Sequence, residues 1–505
     1  MIFRQTKQFL LTATIAGLLL LMGQPQAAEI NLPDMGSPAD AILSKSDEAQ
    51  IGRSIMRQIR ASGSLVDDPQ ITEYINDIGH RISAYANDGG QKFTFFVIDN
   101  PSINAFALPG GYIGVHTGLI EASRSEDELA GVLAHEIAHV TQRHLARAIH
   151  AGQRQSILST AIMLGAILAG AAGAGVDVVQ GGIAAAQGTA AQQQINFTRS
   201  NEYEADRIGI SALADAGYDP EGMASFFEVI SRNTRPIESR MPEFLRSHPV
   251  TSARIAEARN RARSYPSVQT DDSHNYGIIR ARLMVNAQST SEDAVALFEV
   301  REYEKQSDAA RYGRAVAYLR AGRNNEANQI FEDLISRDHQ IIAYHIGLAQ
   351  AQLALERVTE SNATFERAIE LFPRNVPLVI HYSEALLQFG AAEKAHELLL
   401  DLLNNVPPTP EQIRLIARAA TDAGDAAEAH YYMAEYRFMI GDLVGGVGFL
   451  QRALSLPNLE EIQRIRYEAR IDFIQEFMSE EQLQQMRRNR PIGPLAGLIR
   501  QEPAE

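Results

Sequence analysis

The sequence predicts an α+β domain, mostly helical with a small sheet, followed by an all-α solenoid. Three observations support this fold class. Apolar residues recur at helical spacings over residues 44–86, two strand-like runs follow, and small residues repeat with a 34-residue period in the second half of the chain. The length of 505 residues also exceeds one ordinary core and favours two or three domains.

The bulk composition describes a globular, acidic chain. Apolar residues make up 45% and charged residues 21%, which is typical of a globular protein. The formal net charge of −16 argues against nucleic-acid binding, because phosphate neutralisation requires basic patches. The absence of cysteine excludes both a disulfide framework and a lipid-modified cysteine.

Residues 1–28 differ from the rest and predict a secretory signal peptide. Arg4 and Lys7 precede an uncharged run with an apolar centre, and the residues GQPQAA follow it. A single membrane anchor is the alternative, which the short apolar centre disfavours. Export of the mature chain predicts a periplasmic location if the source is a Gram-negative bacterium.

The next segments alternate between helix and strand patterns. Apolar spacings predict helices on both sides of a break between Gly63 and Pro69. The runs 93–99 and 104–120 predict strands, with a turn at the Pro-Gly-Gly step inside the second run. Ser125 then predicts the N-cap of a helix, with Glu128 completing a capping box.

Residues 157–176 form an apolar run of twenty residues without a charge. Length alone permits a membrane span. The many alanines and glycines, and the glutamine-rich continuation, favour a helical hairpin over residues 157–195 that acts as a lid or makes a peripheral contact with the membrane. A plain buried helix is the third interpretation, and the sequence leaves all three open.

The second half of the chain carries a repeat. One column of the repeat contains Gly322, Glu356, Gly390 and Gly424, and two further columns keep the same period with Ala327, Ser361, Ala395 and Ala429, and with Ala315, Ala349, Ser383 and Ala417. A 34-residue period of helix, turn and helix is typical of tetratricopeptide arrays, which present surfaces to peptides or partner proteins. The predicted repeat domain covers residues 290–487, with Gly441 and Gly446 continuing it by a half-step and residues 488–505 forming a tail.

The stretch GVLAHEIAHVTQRH, residues 131–144, lies on the helix predicted after residue 125. His135 and His139 are four residues apart and share one helix face, which is the spacing that two imidazoles need to bind one zinc ion. Glu136 lies beside that position, where its carboxylate can take a proton from the attacking water. His144 is predicted to face solvent or an adjacent helix, because it lies about 140° round the helix from His139. A chance occurrence of the histidine pair is the alternative.

A catalytic zinc site needs a third protein ligand and an open position. Glu202 and Asp206 are four residues apart in RSNEYEADRIGISALADAG and project from one face of another predicted helix. Glu202 is a candidate third ligand, and Asp206 is a candidate either to hydrogen-bond a ligand histidine or to assist proton transfer. Paired carboxylates taken alone are more typical of a solvated helix face.

The motifs HEIAH and NEYEAD together resemble the M48 family of zinc metallopeptidases, a gluzincin group. The resemblance implies a gluzincin-type fold for residues 29–268, with one Zn²⁺ per subunit held by His135, His139 and Glu202. It also implies that Glu136 is the general base and that Asp206 lies behind the metal. The segment SHPVTSARI matches a further family feature, which implies that His248 gates the site as a fourth ligand in place of the catalytic water.

The signal sequence and the repeats resemble one branch of this family, and that branch implies a function. The expected activity is that of a periplasmic zinc metalloendopeptidase with a chaperone-like role in outer-membrane β-barrel assembly. Its implied substrates are unfolded or misassembled outer-membrane proteins, and its implied partner is the barrel-assembly machinery. Two alternatives stay open: a non-proteolytic assembly factor that acts through its repeats with a closed zinc site, and an integral-membrane protease that spans the membrane through residues 157–176.

Overall fold

The structure is a computed structural model of the chain. It describes residues 43–86, 90–151, 189–233, 242–266, 268, 273–305, 307–457 and 459–489. The predicted signal peptide, the uncharged run 157–176 and most of the predicted C-terminal tail lie outside these residues. Within the described part of the chain, no helix has the length and apolar character needed to cross a membrane.

Two helices open the described chain and confirm the predicted break between them. Helix α1 (Lys45–Ala61) begins at Ser44, whose hydroxyl accepts from the Asp47 N–H while the Asp47 carboxylate accepts from the Ser44 N–H. Helix α2 (Pro69–Ser83) begins at Asp68 and carries proline in its first turn, where no N–H is required. The isoleucines of α2 are buried in the core of the first domain.

The two strand-like runs form a three-stranded sheet with the order β1-β3-β2. Strand β1 (Thr94–Ile98) pairs in parallel with β3 (Tyr112–His116), and β2 (Ala105–Leu108) pairs antiparallel with β3. Gly110 and Gly111 make the predicted turn between β2 and β3 with φ values of 81° and 84°, which glycine adopts readily. Strand β2 is therefore an edge of the sheet, and it packs against the helix that carries the histidine pair.

The strand prediction is wrong at the end of the second run. Residues 117–122 form a short helix, α3 (Thr117–Ala122), instead of extending β3. The Gly118 N–H and the Thr117 hydroxyl both donate to the Asn100 carbonyl, so local hydrogen bonds turn the chain after His116. Apolar composition did not distinguish this buried helical turn from a strand.

The histidine pair lies on α4 (Glu126–Thr141), which is buried on nearly all sides. Two helices pack against it, α6 (Thr189–Asp215) and α7 (Glu221–Asn233). A Cβ at Gly131 would lie 2.7 Å from the Met223 Cα, so only glycine lets α7 approach α4 this closely. Helix α6 also approaches α4 closely at Gly209, where a Cβ would lie 3.0 Å from the Ala134 carbonyl, and this packing brings Glu202 and Asp206 to the side of α4 that carries His135.

The N-cap predicted for α4 is confirmed, but the capping box is not. The Ser125 hydroxyl accepts from the Glu128 N–H as predicted. The Glu128 carboxylate accepts instead from the Arg124 N–H and guanidinium and from the Ser225 hydroxyl. Glu128 thus ties the start of α4 to α7.

Four further helices complete the first domain and lead out of it. These are α5 (His144–Ala151), α8 (Glu243–Ser247), α9 (Ser252–Ala262) and α10 (His274–Asn286). Helix α10 links the two parts of the chain, since Tyr276 donates to the Ser123 carbonyl and Arg282 lies 2.6 Å from Asp68 and 3.3 Å from the Tyr312 hydroxyl.

The rest of the described chain is helical and confirms the 34-residue period. Four successive helical pairs begin 34 residues apart and are followed by further helices. The elements are α11 (Ser291–Lys305), α12 (Asp308–Arg320), α13 (Asn324–Arg337), α14 (Ile342–Ala354), α15 (Val358–Leu371), α16 (Val376–Gln388), α17 (Ala392–Asn405), α18 (Pro410–Asp422), α19 (Ala426–Met439), α20 (Leu443–Leu454), α21 (Glu461–Gln475) and α22 (Glu480–Asn489). In each pair, one residue directly after the first helix has a positive φ. This residue is glycine in three pairs and Glu356, with a φ of 61°, in the fourth.

The solenoid contacts the first domain directly. The Glu73 carboxylate of α2 accepts from the Asn375 side chain at 3.0 Å and from the Val376 N–H at 3.4 Å, at the start of α16. Burial raises the pKa of Glu73 to about 7, even though the Asn375 hydrogen bond acts in the opposite direction. The turn at Gly441 lies against Arg57 of α1. The repeats therefore contact both α1 and α2 of the first domain, in addition to α10.

Candidate metal centre and active site

Four side chains from three segments converge on one point. His135 and His139 come from α4, Glu202 from α6, and His248 from the loop between α8 and α9. One ligand atom of each lies within 4.8 Å of the ligand atoms of the other three. The structure therefore brings together all the residues predicted as metal ligands, including the one predicted as a gate.

The separations between these atoms fit a small tetrahedral cation. His135 Nε2 lies 3.0 Å from His139 Nε2, 3.2 Å from His248 Nδ1 and 3.4 Å from Glu202 Oε2. His139 Nε2 lies 3.5 Å from Glu202 Oε1, and His248 Nδ1 lies 3.1 Å from the same oxygen. Ligands at the 2.0–2.1 Å distances usual for zinc and arranged as a tetrahedron are roughly 3.3 Å apart. The three imidazoles and the carboxylate thus have both the donor chemistry and the spacing of a metal site.

Glu136 lies beside this cluster and is not one of the converging donors. Its side chain is 1% exposed, and its Oε1 lies 3.4 Å from His248 Nε2. His248 therefore meets the metal cluster with one ring nitrogen and Glu136 with the other. This placement puts the predicted base next to the metal position while leaving its carboxylate outside the ligand set.

Asp206 lies behind His135, as predicted. Its Oδ1 is 2.9 Å from His135 Nδ1, on the opposite side of the ring from the metal cluster. Such a contact fixes which ring nitrogen carries hydrogen and leaves Nε2 as the donor to the metal. Asp206 is buried, so its charge requires a further partner.

That partner is Arg254, which sequence reasoning did not identify. Arg254 donates through Nε and Nη2 to the two Asp206 oxygens at 2.8 and 2.7 Å, and its Nη1 lies 2.9 Å from Glu202 Oε2. Nη1 also donates to the Pro249 carbonyl, next to His248. Two buried carboxylates imply a buried cation, but no feature of the sequence selects Arg254 from the other arginines of its helix.

The electrostatics of the site favour a bound cation. Burial opposes ionisation of Glu202, yet the adjacent His248 and His135 hold the pKa of its carboxyl well below the ordinary value. Burial likewise opposes the charge on Asp206, whose pKa His135 and Arg254 nevertheless lower. Burial disfavours protonation of His135, but hydrogen bonds to Asp206 and Glu202 raise its pKa to about 9. A potential that stabilises a proton at His135 also stabilises a metal cation there.

His139 shows the opposite behaviour. Burial, together with the positive charge on His135, lowers the pKa of His139 well below the ordinary value. A neutral imidazole is the form that binds a metal through a ring nitrogen. His139 is therefore in the state required of a ligand.

His144 lies against an adjacent helix, which is one of its two predicted placements, but the helical geometry behind that prediction does not hold. Helix α4 ends at Thr141, and Arg143 adopts a φ of 51°, so helical geometry cannot be continued to residue 144. His144 instead begins α5 and turns back toward the site, with its Nδ1 2.8 Å from His139 Nδ1. Its Nε2 lies 3.1 Å from Glu204 Oε2.

The loop that carries His248 is anchored at its α8 end. The His248 N–H donates to the Phe244 carbonyl at 2.7 Å, and the Phe244 N–H donates to the Ile103 carbonyl at 3.3 Å. The His248 ring also packs on the Phe244 ring, with the centroids 4.8 Å apart. His248 is thus on a loop before a helix, as predicted, and the anchors hold it over the metal cluster.

Comparisons with known proteins agree with this site. A profile of peptidase family M48 matches residues 69–262, and two tetratricopeptide-repeat profiles match residues 309–338 and 352–419. The beta-barrel assembly-enhancing protease of Escherichia coli (strain K12) is 36% identical over 483 residues, covering 93% of this chain and 97% of that protein. The protein of the same name from Yersinia pestis is 34% identical and covers 91% and 96% of the two chains.

A more distant relative matches a smaller part of the chain. The mitochondrial metalloendopeptidase OMA1 of Arabidopsis thaliana is 28% identical over 200 residues, which covers 39% of this chain and 38% of that protein. The histidine and carboxylate cluster, the profile match and the near full-length relatives confirm the predicted resemblance. The chain therefore belongs to peptidase family M48, as a metalloendopeptidase whose peptidase domain precedes tetratricopeptide repeats.

Proposed function

We propose that this protein is a periplasmic zinc endopeptidase that degrades misassembled outer-membrane β-barrel proteins and assists their assembly. The observation that carries the proposal is the convergence of His135, His139, Glu202 and His248 beside the buried carboxylate of Glu136. Three imidazoles and one carboxylate are ligands that suit zinc. One zinc ion per subunit is expected.

In the proposed mechanism, His135, His139 and Glu202 hold the zinc. When bound, zinc supplies a Lewis acid that polarises the scissile carbonyl and makes water more acidic. Glu136 accepts the proton of the attacking water and delivers it to the leaving amine. Asp206 Oδ1 lies 2.9 Å from His135 Nδ1 and keeps that ring oriented, while Arg254 pairs with both Asp206 and Glu202.

His248 is proposed to gate this reaction. In the structure its Nδ1 is the fourth donor of the cluster and its Nε2 lies near Glu136, so it covers both the water position and the base. Cleavage then requires the loop between α8 and α9 to move. The same closed set of four donors would serve the alternative of a non-proteolytic factor, and the two are separated by removing His248.

The wider role rests on the relatives and on the chain outside the site. The near full-length relatives are named for enhancing β-barrel assembly, which supports outer-membrane proteins as substrates and the barrel-assembly machinery as partner. The signal-like residues 1–28 support export to the periplasm. The repeats are proposed to bind substrate or partner, and residues 157–195 to contact the membrane surface or act as a lid.

Removal of the metal tests the proposed activity. Protein dialysed against a strong chelator is expected to lose cleavage of an unfolded β-barrel protein, because Glu136 alone does not activate the carbonyl. Adding about one equivalent of zinc per chain restores cleavage, as expected for a single site with the usual tetrahedral ligand number. Full cleavage by protein shown to be free of metal would contradict the proposal.

Replacing His248 by Ala is expected to increase cleavage. If the open form is populated at about 0.1–10% in the wild-type protein, freeing the gate raises the rate by about 10-fold or more. The rate is measured at saturating substrate, together with the zinc content, which the remaining three ligands should maintain. His274→Ala, at an exposed histidine at the start of α10, is the matched control and leaves the rate unchanged. A His248→Ala protein that binds zinc but cleaves nothing supports the non-proteolytic alternative.

A further inference from the structure

Beyond the ligands, a chain of polar contacts leads from His139 to the protein surface. His139 Nδ1 lies 2.8 Å from His144 Nδ1, and His144 Nε2 lies 3.1 Å from Glu204 Oε2. Arg147 Nη1 donates to the same Glu204 oxygen at 2.8 Å. His144 is 5% exposed, whereas the Glu204 side chain is 26% exposed. The contacts join α5 to α6 across the end of α4.

We infer that His144 and Glu204 form an outer relay that fixes the tautomer and orientation of His139, and that both are positioning residues for the metal centre. The inference rests on the proposed zinc site, because it concerns how this chain prepares one ligand for the metal. It does not assign either residue a contact with metal or substrate.

The position of each hydrogen follows from the geometry. A neutral histidine carries one ring hydrogen, so His139 can offer Nε2 to the cluster only if its hydrogen is on Nδ1. That hydrogen points at His144 Nδ1, which must then accept. The hydrogen of His144 is consequently on Nε2, where it donates to the Glu204 carboxylate. A single arrangement of hydrogens thus satisfies every contact from the cluster to Arg147.

The two histidines of the motif are oriented by different devices. His135 meets the carboxylate of Asp206 directly, at 2.9 Å. His139 reaches the carboxylate of Glu204 only through the ring of His144. This second arrangement depends on the helix break at Arg143, since an unbroken α4 would carry residue 144 to another face. The relay therefore accounts for the third histidine of the stretch GVLAHEIAHVTQRH.

The measurement that tests the relay is the zinc dissociation constant, obtained by competition with a chromophoric chelator on the full chain. Replacing His144 by Phe removes the acceptor and is expected to weaken zinc binding about 10- to 100-fold. Replacing His144 by Asn retains a side-chain oxygen near the position of Nδ1, and it should restore most of the affinity. This rescue distinguishes orientation of His139 from a general packing role.

Two further variants keep the test decisive. Glu204→Leu changes a partly exposed side chain and is expected to weaken zinc binding by about 10-fold. This variant serves as the test if the His144→Phe protein does not fold. His345→Phe is the control, because His345 is also a buried histidine, with its Nε2 2.9 Å from the His339 carbonyl in the solenoid. Its zinc affinity should equal that of the wild type.

Dissociation constants within about threefold of wild type for both His144→Phe and Glu204→Leu would overturn the relay, since outer partners of ligand histidines usually contribute more. That result would leave the proposed function intact, because the wild type would still bind zinc and cleave its substrate. Failure of the wild type to bind zinc would instead reject the metal site itself. The relay is therefore tested by the variants, and the metal site is tested by the wild type.

Discussion

Replacing Glu136 by Gln is expected to lower the cleavage rate about 10²- to 10⁴-fold, because a positioned general base contributes about that much. Glutamine has nearly the same shape but cannot accept the proton of the attacking water at neutral pH. Glu136 is not one of the four converging donors, so the zinc content should remain at the wild-type value. The effect should fall on kcat, with little change in substrate binding.

The experiment compares single-turnover cleavage of an unfolded β-barrel protein with the metal content of the same samples. Glu128→Gln is a matched control, since Glu128 is a buried carboxylate on the same helix that bonds to Arg124 and Ser225 away from the cluster. The double variant with His248→Ala should be as inactive as Glu136→Gln alone, because an open gate cannot replace the base. Unchanged cleavage by Glu136→Gln would reject the proposed mechanism.

Local patterns predicted much of the site. The four-residue spacing placed His135 and His139 on one face of a helix, and the same spacing placed Glu202 and Asp206 on one face of another. Both predictions need only that each segment be helical through the pair. The resemblance of the motifs then joined the two helices, which the spacing alone could not do.

Two predictions assumed a helix or a strand that ends earlier than the sequence pattern indicates. His144 was assigned a direction by continuing a helix that stops three residues earlier, and the left-handed backbone at Arg143 reverses that direction. The strand predicted through residue 120 fails for a similar reason, since side-chain and backbone bonds to Asn100 end it at His116. Boundaries are set by such local contacts more than by hydrophobic periodicity.

The solenoid was predicted more completely than the peptidase domain. Four of its helical pairs repeat every 34 residues, so one column of the repeat marks the turn inside each of these pairs. The peptidase domain has no such repetition. Its contacts join segments far apart in the chain, as Arg254 does with Asp206, and these cannot be read from spacing.

Replacing Arg254 by Met is expected to destabilise the peptidase domain by about 3–5 kcal/mol in the absence of metal, because it leaves buried carboxylates unpaired. Arg254 is 2% exposed and lies against both Asp206 and Glu202. Methionine fills a similar volume, so the loss is mainly electrostatic. For a domain of this size the midpoint of thermal unfolding should fall by about 10 °C.

Bound zinc should offset part of this loss, because its charge compensates Glu202 directly and Asp206 through His135. Thermal unfolding of Arg254→Met is therefore measured with and without zinc, and the difference between the two midpoints should exceed that of the wild type. Arg254→Lys keeps the charge but not the paired hydrogen bonds to Asp206. Its unfolding midpoint should therefore lie between those of the wild type and Arg254→Met.

Arg232→Met is the control for loss of an arginine, since Arg232 is 70% exposed and its pair with Glu228 lies at the surface. That change should alter stability by at most about 0.5 kcal/mol. If Arg254→Met unfolds like Arg232→Met, the carboxylates of the site do not depend on Arg254. A large loss that zinc reduces would show instead that Arg254 and the metal both compensate the charge of the same two buried carboxylates.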